Sequence, residues 1–383
     1  MPSQLSSSGA HNSAAKLFYI DNIKILLTVL VILHHTAIAY CAPGGWYYTE
    51  KTARIAAIIP STIFVSLNQS FFMGFFFLLS AYFTVSSYDR KGARQYFLDR
   101  LMRLGIPLMF YSFVLSPLLG YLVYYFAKGR HINIAQYLSG YHSWIDFGVL
   151  WFVAALLVFN LLFILLNKFF TFRFKKPIPS PTTAVILLFA VVLGIASFFV
   201  RIIFPVGWVL EPLGFQLGHF PQYIALFIVG LLAYRNGWFN GMSEKTGRRL
   251  KLSAWLSLLG FPLFFLIRVK SGMPVAWYSG GFHWQALLYA VWEQWIGLSI
   301  ITALLISTRR PWNKSSLLLE KLARSTFVVY IFHPLAIVSL SLLVKGWAVD
   351  PAVKLLIVAP LAIMCSFILG AAVLRVPRVK KFV

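Results

Sequence analysis

Charge is what this sequence has least of. Charged residues make up 11% of its 383 residues, where a soluble protein carries about 25%. That shortage excludes a water-soluble globule, which needs polar surface to cover it. Acid is scarcest, with 10 Asp+Glu against 34 Lys+Arg and a formal net charge of +24. Such an excess can signal nucleic acid. Here the positive residues fall in short loops between apolar stretches, so no nucleic-acid partner is expected. Cysteine is scarce too. Cys41 and Cys365 are the only two, and they fall just after the first apolar stretch and inside the last. There is no C-x-x-C and no zinc-ligand spacing, so neither a disulfide nor a metal site is expected. No internal repeat shows, and no loop is long enough to hold a separate soluble domain.

Apolar sequence fills the space that charge leaves, at 60% hydrophobic and 17% aromatic. Ten stretches are long enough to span a bilayer at about 20 residues each. They lie near 17–40, 60–85, 104–127, 148–167, 183–204, 220–236, 252–270, 284–306, 325–344 and 352–374. The sixth is short and the second is interrupted by polar residues. The expected fold is all-α: a polytopic integral membrane helical bundle of about ten transmembrane helices, among membrane lipids. Lys and Arg divide unevenly between alternate loops, with 24 on the side of both termini, 9 on the other and Lys24 inside the first span. The bias puts both termini in the cytoplasm of a plasma or inner-membrane protein. The polar, Ser-rich residues 1–15 read as a disordered tail, residues 16–376 as one transmembrane domain and 377–383 as a basic tail. Lys24, an apolar 25–33 and Ala37-Ile38-Ala39 also mimic a signal peptide with its cleavage site. Against that, Asp21 puts an acid in a leading region usually free of acid.

The run "KILLTVLVILHHT", residues 24–36, holds the least expected chemistry. Lys24 and His35 are eleven positions apart, which on a helix is three turns plus about 20° and about 16 Å along the axis. Thr28 shares that face, Asp21 lies near it, and His34 points about 100° away. Lys24 near the helix start can simply reach the interface. An ionisable group as deep as His35 usually faces a cavity or pathway. Glu293 lies mid-span in "YAVWEQWIGLS" and needs a partner or a proton there. Arg100 and Arg103, one helical turn apart at the cytoplasmic end of the third span, suit bidentate phosphate binding or ordinary positive-inside flanking. Ser80 reads as a small packing residue. His219, Gln222, Glu211, His283, Trp208, Trp277 and Trp284 crowd the outer loops and helix ends. Such a mixture suits a sugar, although tryptophans also gather at membrane interfaces.

"DNIKILLTVLVILHHTAIAY" resembles the start of membrane acyltransferase family 3, within it the glucan-biosynthesis protein C branch. That family opens with a basic residue, ten intervening positions and a histidine, here Lys24 and His35. "FFMGFFFLLSAYF" resembles its second-span block, with Ala81 where glycine is usual. "FLDRLMRLGIPLMF" is similar to its Arg-Arg-Pro segment, here Arg100, Arg103 and Pro107. "LWFVAALLVFNLLF" is similar to its L-W-F-L span, and "TFVVYIFHPL" to a late block with Tyr330, His333 and Pro334. The resemblance implies a bundle of about ten helices that moves acyl groups from cytoplasmic acyl-CoA to sugars or lipids. It implies an O-acyltransferase transferring an acetyl, succinyl or similar group. The acyl-CoA phosphates would dock at Arg100 and Arg103. His35, Lys24 and Glu293 would be catalytic: His35 as general base or acyl carrier, and Lys24 stabilising negative charge. His219, Gln222 and His333 would bind a glycan or lipid acceptor. A proton-coupled transporter or glycan exporter is the rival class, with the intramembrane Lys, His and Glu as a relay. The absence of a repeat counts against it.

Overall fold

The structure, a computed structural model, describes residues 17–169, 177–377 and 379. The expected tail at 1–15, the positive loop from 170 to 176 and most of the basic tail at 377–383 lie outside them. Most of the described residues are helical, and among them one isolated bridge, Leu210 to Phe215, stands in place of any strand. Among the described residues, nine helical runs are long and apolar enough to cross a membrane. The chain is thus an all-α polytopic membrane bundle.

Ten expected spans become nine runs because two are joined. Residues Ile55–Ala127 form one run of 73 residues, which laid straight would be about 110 Å long, several bilayers thick. It is not straight. Gly92 has φ 76° and ψ 167°, far from helical values and open to glycine without strain. Across it Tyr96 Oη reaches Thr84 Oγ1 at 3.0 Å, although twelve helical residues would separate them by about 18 Å. Tyr88 and Tyr96 likewise touch, with ring centres 5.7 Å apart. The chain therefore folds back at Gly92, and the expected loop at 86–103 is itself helical. Beyond it, residues 101–127 alternate α-turns with the π-turns Leu101–Gly105, Tyr111–Leu115 and Val123–Ala127. Pro107 and Pro117, which lack the N–H of a regular ladder, sit in this stretch.

Small residues set the closest helix contacts, as expected where packing rather than water drives association. A methyl group on Gly230 of the Phe220–Arg235 helix would lie 2.3 Å from Leu78 O in the Phe72–Arg100 helix. One on Gly194 of Thr183–Ile203 would meet the Val291 backbone at 2.6 Å in Trp284–Thr308. The Phe18–Tyr40 helix packs against Leu317–Leu343 and Pro351–Val373, burying Ile32 among Val329, Ile337 and Ala362, and Tyr40 beside Val358. By contrast, Glu244–Ser271 is peripheral. Its Leu252, Leu256, Leu259 and Leu263 are exposed, a disposition that suits lipid rather than water. It is held to Trp284–Thr308 by Trp292 Nε1 donating to Ser257 O and Trp295 Nε1 donating to Ser253 Oγ.

Candidate active site

Two polar assemblies inside the bundle hold most of the candidate residues. The first begins at a cavity of ≈ 420 Å³ whose lining includes Lys24, Thr28, Ser80, Arg100, Arg103 and Tyr330. Helical spacing puts Lys24 and Thr28 there from one face of the first helix. The fold-back at Gly92 brings the two arginines to the same space. Lys24 Nζ lies 3.3 Å from Asp21 Oδ1 and 4.6 Å above the Phe83 ring, so it is held at the cavity wall. Arg100 lies over the Tyr96 ring. Among the described residues neither arginine has a carboxylate at salt-bridge distance. Asp99, between them in sequence, is engaged by Lys91 and by Gln95 Nε2 at 2.9 Å. Three cations thus face one space with a single carboxylate, Asp21, paired among them, an arrangement that favours an anion.

Further along the first helix, His35 stands in a cluster of rings. Trp46 stacks on it at 4.2 Å between centres and 20° between planes. His333 lies at 5.3 Å and 17°, and His34 meets it edge-on at 5.4 Å. His35 Nδ1, His333 Nε2 and Trp46 Nε1 are all buried without a hydrogen-bond partner. Such groups are rare in folded proteins, and a bound polar group is one explanation. Trp46 reaches this place on a strap, residues 41–54, that doubles back over the helix end. Glu50 N donates to Ala39 O and Thr52 N to Tyr40 O, each at 3.0 Å. Lys51 Nζ donates to Ala42 O at 2.6 Å and to Ile38 O, the latter a carbonyl of the last helical turn that the helix leaves open. Burial there lowers the Lys51 pKa from its ordinary value. His34 turns the other way, as its 100° offset requires. It stacks on Phe72 at 5.0 Å, and Asn68 Nδ2 donates to its Nδ1 at 3.3 Å.

The second assembly is a buried ion-pair cluster. Arg201 Nη2 bonds Glu293 Oε2, and His219 Nδ1 lies 3.0 Å from Glu293 Oε1. Arg201 Nε donates to Gly218 O at 3.0 Å. Arg201 is 0% exposed, Glu293 1% and His219 3%. Alongside, Gln222 Nε2 donates to Ser70 O at 2.7 Å and to Gln294 Oε1 at 2.9 Å. Residues 68–70, at the end of the Ile55–Gln69 helix, join the assemblies, with Asn68 on His34, Gln69 Nε2 on Tyr223 Oη at 3.0 Å and Ser70 under Gln222.

The residues singled out in the sequence therefore separate into groups. Lys24, Arg100 and Arg103 share one cavity, and His35 and His333 share one ring cluster. Glu293, His219 and Gln222 belong to the second assembly, where the histidine beside Glu293 is His219. Trp208, Trp277 and Trp284 lie partly exposed, as belt residues do. Trp46 and Arg201 were not singled out. Arg201 had a signal: it is a lone charge in the apolar "ASFFVRIIFP", as Glu293 is in its own span, and two such charges are expected to pair. Trp46 had none, because only the doubled-back strap brings it to His35. Cys41 and Cys365 are both free thiols.

The family model of the acyltransferase domain matches residues 17–373. Among curated relatives, the glucans biosynthesis protein C of Salmonella heidelberg is 23% identical over 335 residues, covering 84% of this chain and 82% of its own. Those of Salmonella paratyphi A, at 23%, and Salmonella enteritidis, at 22%, match with the same coverage. No solved structure matches. With nearly the whole chain covered by the family model, and with its many apolar helices, this multi-pass membrane protein belongs to acyltransferase family 3 and is an acyltransferase of groups other than aminoacyl groups.

Proposed function

We propose that the protein is an O-acyltransferase of the plasma or inner membrane, with both termini cytoplasmic. It moves an acetyl, succinyl or similar group from cytoplasmic acyl-CoA to a hydroxyl of a cell-envelope glycan or lipid. One observation carries the reading: Lys24, Arg100 and Arg103 line a single cavity, and His35 lies further along the helix that bears Lys24. Phosphates of the donor pair with the arginines, and the flexible pantetheine arm carries the thioester toward His35. A hydroxyl is a poor nucleophile at neutral pH, so a base is required. His35 takes the hydroxyl proton as the oxygen attacks the thioester carbonyl. The new ester C–O bond forms, the C–S bond breaks, and the departing thiolate recovers the proton from His35. Transfer through an acyl group carried briefly on His35 has the same balance in two steps. The relatives' names make a glucan hydroxyl the first acceptor to test.

The test uses the full chain in lipid nanodiscs with labelled acyl-CoA donors and a glucan acceptor. Label should move to the glucan with release of one free thiol per ester formed. A panel of acyl-CoA donors that yields neither label nor thiol, with the protein folded, removes this reading.

A further inference from the structure

Tyr330, His333 and Pro334 lie on the Leu317–Leu343 helix, and their spacing has a backbone consequence. In a regular helix the N–H of residue 334 bonds the carbonyl of residue 330. Proline has no N–H, so Tyr330 O loses that partner. His333 Nδ1 lies 2.8 Å from the same oxygen. A carbonyl only accepts, so Nδ1 carries the hydrogen, and in the neutral ring Nε2 holds the lone pair. Pro334 thereby selects the tautomer of its neighbour. Nε2 is buried with no donor to meet it, and the residue is 0% exposed. The His35 ring lies 5.3 Å away and nearly parallel, and its Nδ1 is also buried without a partner. One of these nitrogens can only accept, and the other is able to donate. The separation of the ring centres is about that of one N–H···N bond plus two ring radii.

We propose that His333 is the positioning partner of His35: its Nε2 accepts the His35 Nδ1–H and leaves His35 Nε2 as the free base. A shift of the His35 ring along the face of Trp46 forms the bond and keeps the stack. The proposal rests on the acyl-transfer reading above and assigns the proton's path within it. The acceptor hydroxyl gives its proton to His35 Nε2 as its oxygen bonds the acyl carbon. The resulting imidazolium is steadied through Nδ1–H on His333. The thiolate released by the broken C–S bond then takes that proton from Nε2, restoring both rings. His333 touches no reacting atom in this scheme.

Two substitutions separate this role from a structural one. His333→Asn keeps a donor for Tyr330 O but has nothing at the Nε2 position. His333→Gln places an amide oxygen near the Nε2 position but gives up the bond to Tyr330 O. With acyl transfer assayed per mole of folded protein, the Gln variant should keep kcat within about tenfold. The Asn variant should lose about 10²-fold, the low end for a disabled general base, at unchanged KM for acyl-CoA. Equal kcat in the two variants, high or low, overturns the proposal, as does a better Asn variant. A second readout is independent of turnover. In ¹⁵N-histidine spectra of the full chain in nanodiscs, with signals assigned from the His35 and His333 variants, His35 should be protonated at Nδ1. His333→Asn should shift that signal, whereas an unshifted one overturns the pairing. If the wild type moves no acyl group, the functional reading falls and the spectrum alone decides the pairing.

Discussion

Arg201→Met is expected to unfold this protein more readily than any loss at the His35 cluster. Arg201 and Glu293 are 0% and 1% exposed, so water does not screen their pairing. Removing one partner of a buried pair leaves the other uncompensated and costs about 3–5 kcal/mol. A charge at the centre of a membrane helix costs about 2.5–3.5 kcal/mol by a separate route. His219 Nδ1 remains 3.0 Å from the carboxylate and offers partial compensation, which selects the lower figure of about 3 kcal/mol. Methionine keeps much of the arginine's packing, so the loss reports charge rather than a cavity. The double variant Arg201→Met with Glu293→Met removes both charges and should return to within about 1 kcal/mol of the parent. Cys41 is a built-in reporter, because it is buried and its thiol is free. In a Cys365→Ser background a thiol-reactive dye should label Cys41 only on unfolding. Unfolding is followed in detergent against increasing denaturing surfactant. A single-variant loss below about 1 kcal/mol, or a double variant as damaged as the single, would refute the buried pair.

Four further outcomes follow from the same geometry. His35→Ala should reduce transfer by about 10²–10⁴-fold, whereas His34→Ala, which loses contacts to Phe72 and Asn68, should keep substantial activity; the reverse ranking would redraw the register of the first helix. Arg100→Ala with Arg103→Ala should raise KM for acyl-CoA in a protein that still inserts, and an unchanged KM would reduce both to topology signals. Reporter fusions should place Arg248 in the cytoplasm and Val206 outside, as the charge bias requires. The Ala352 N–H, with Thr52 and Arg54, holds the Asp350 carboxyl below its ordinary value. Its contribution is therefore present above the unfolded value of about 3.9 and lost as pH falls through the lower folded value. Asp350→Asn should flatten that acid limb in a pH series of thermal unfolding.

Much of this protein was written in one dimension. Scarce charge and long apolar runs determine a membrane bundle, because a bilayer leaves the chain no other partner for its backbone than itself. The pitch of a helix puts Lys24 and Thr28 on one face and turns His34 away, since that geometry is local. Pro334 next to His333 is equally local, and its effect on Tyr330 O could be read from five residues. Tertiary structure alone decided the rest. The second and third spans join into one run because only the backbone at Gly92 shows where the helix folds back. Glu293 meets His219 and Arg201, which lie 74 and 92 positions away in sequence, and no periodicity spans such gaps. Trp46 covers His35 because the 41–54 strap returns along the helix end through hydrogen bonds of its own. A sequence states which groups each helix face offers, whereas the partner of each face depends on how separate helices pack, and that is a property of the whole bundle.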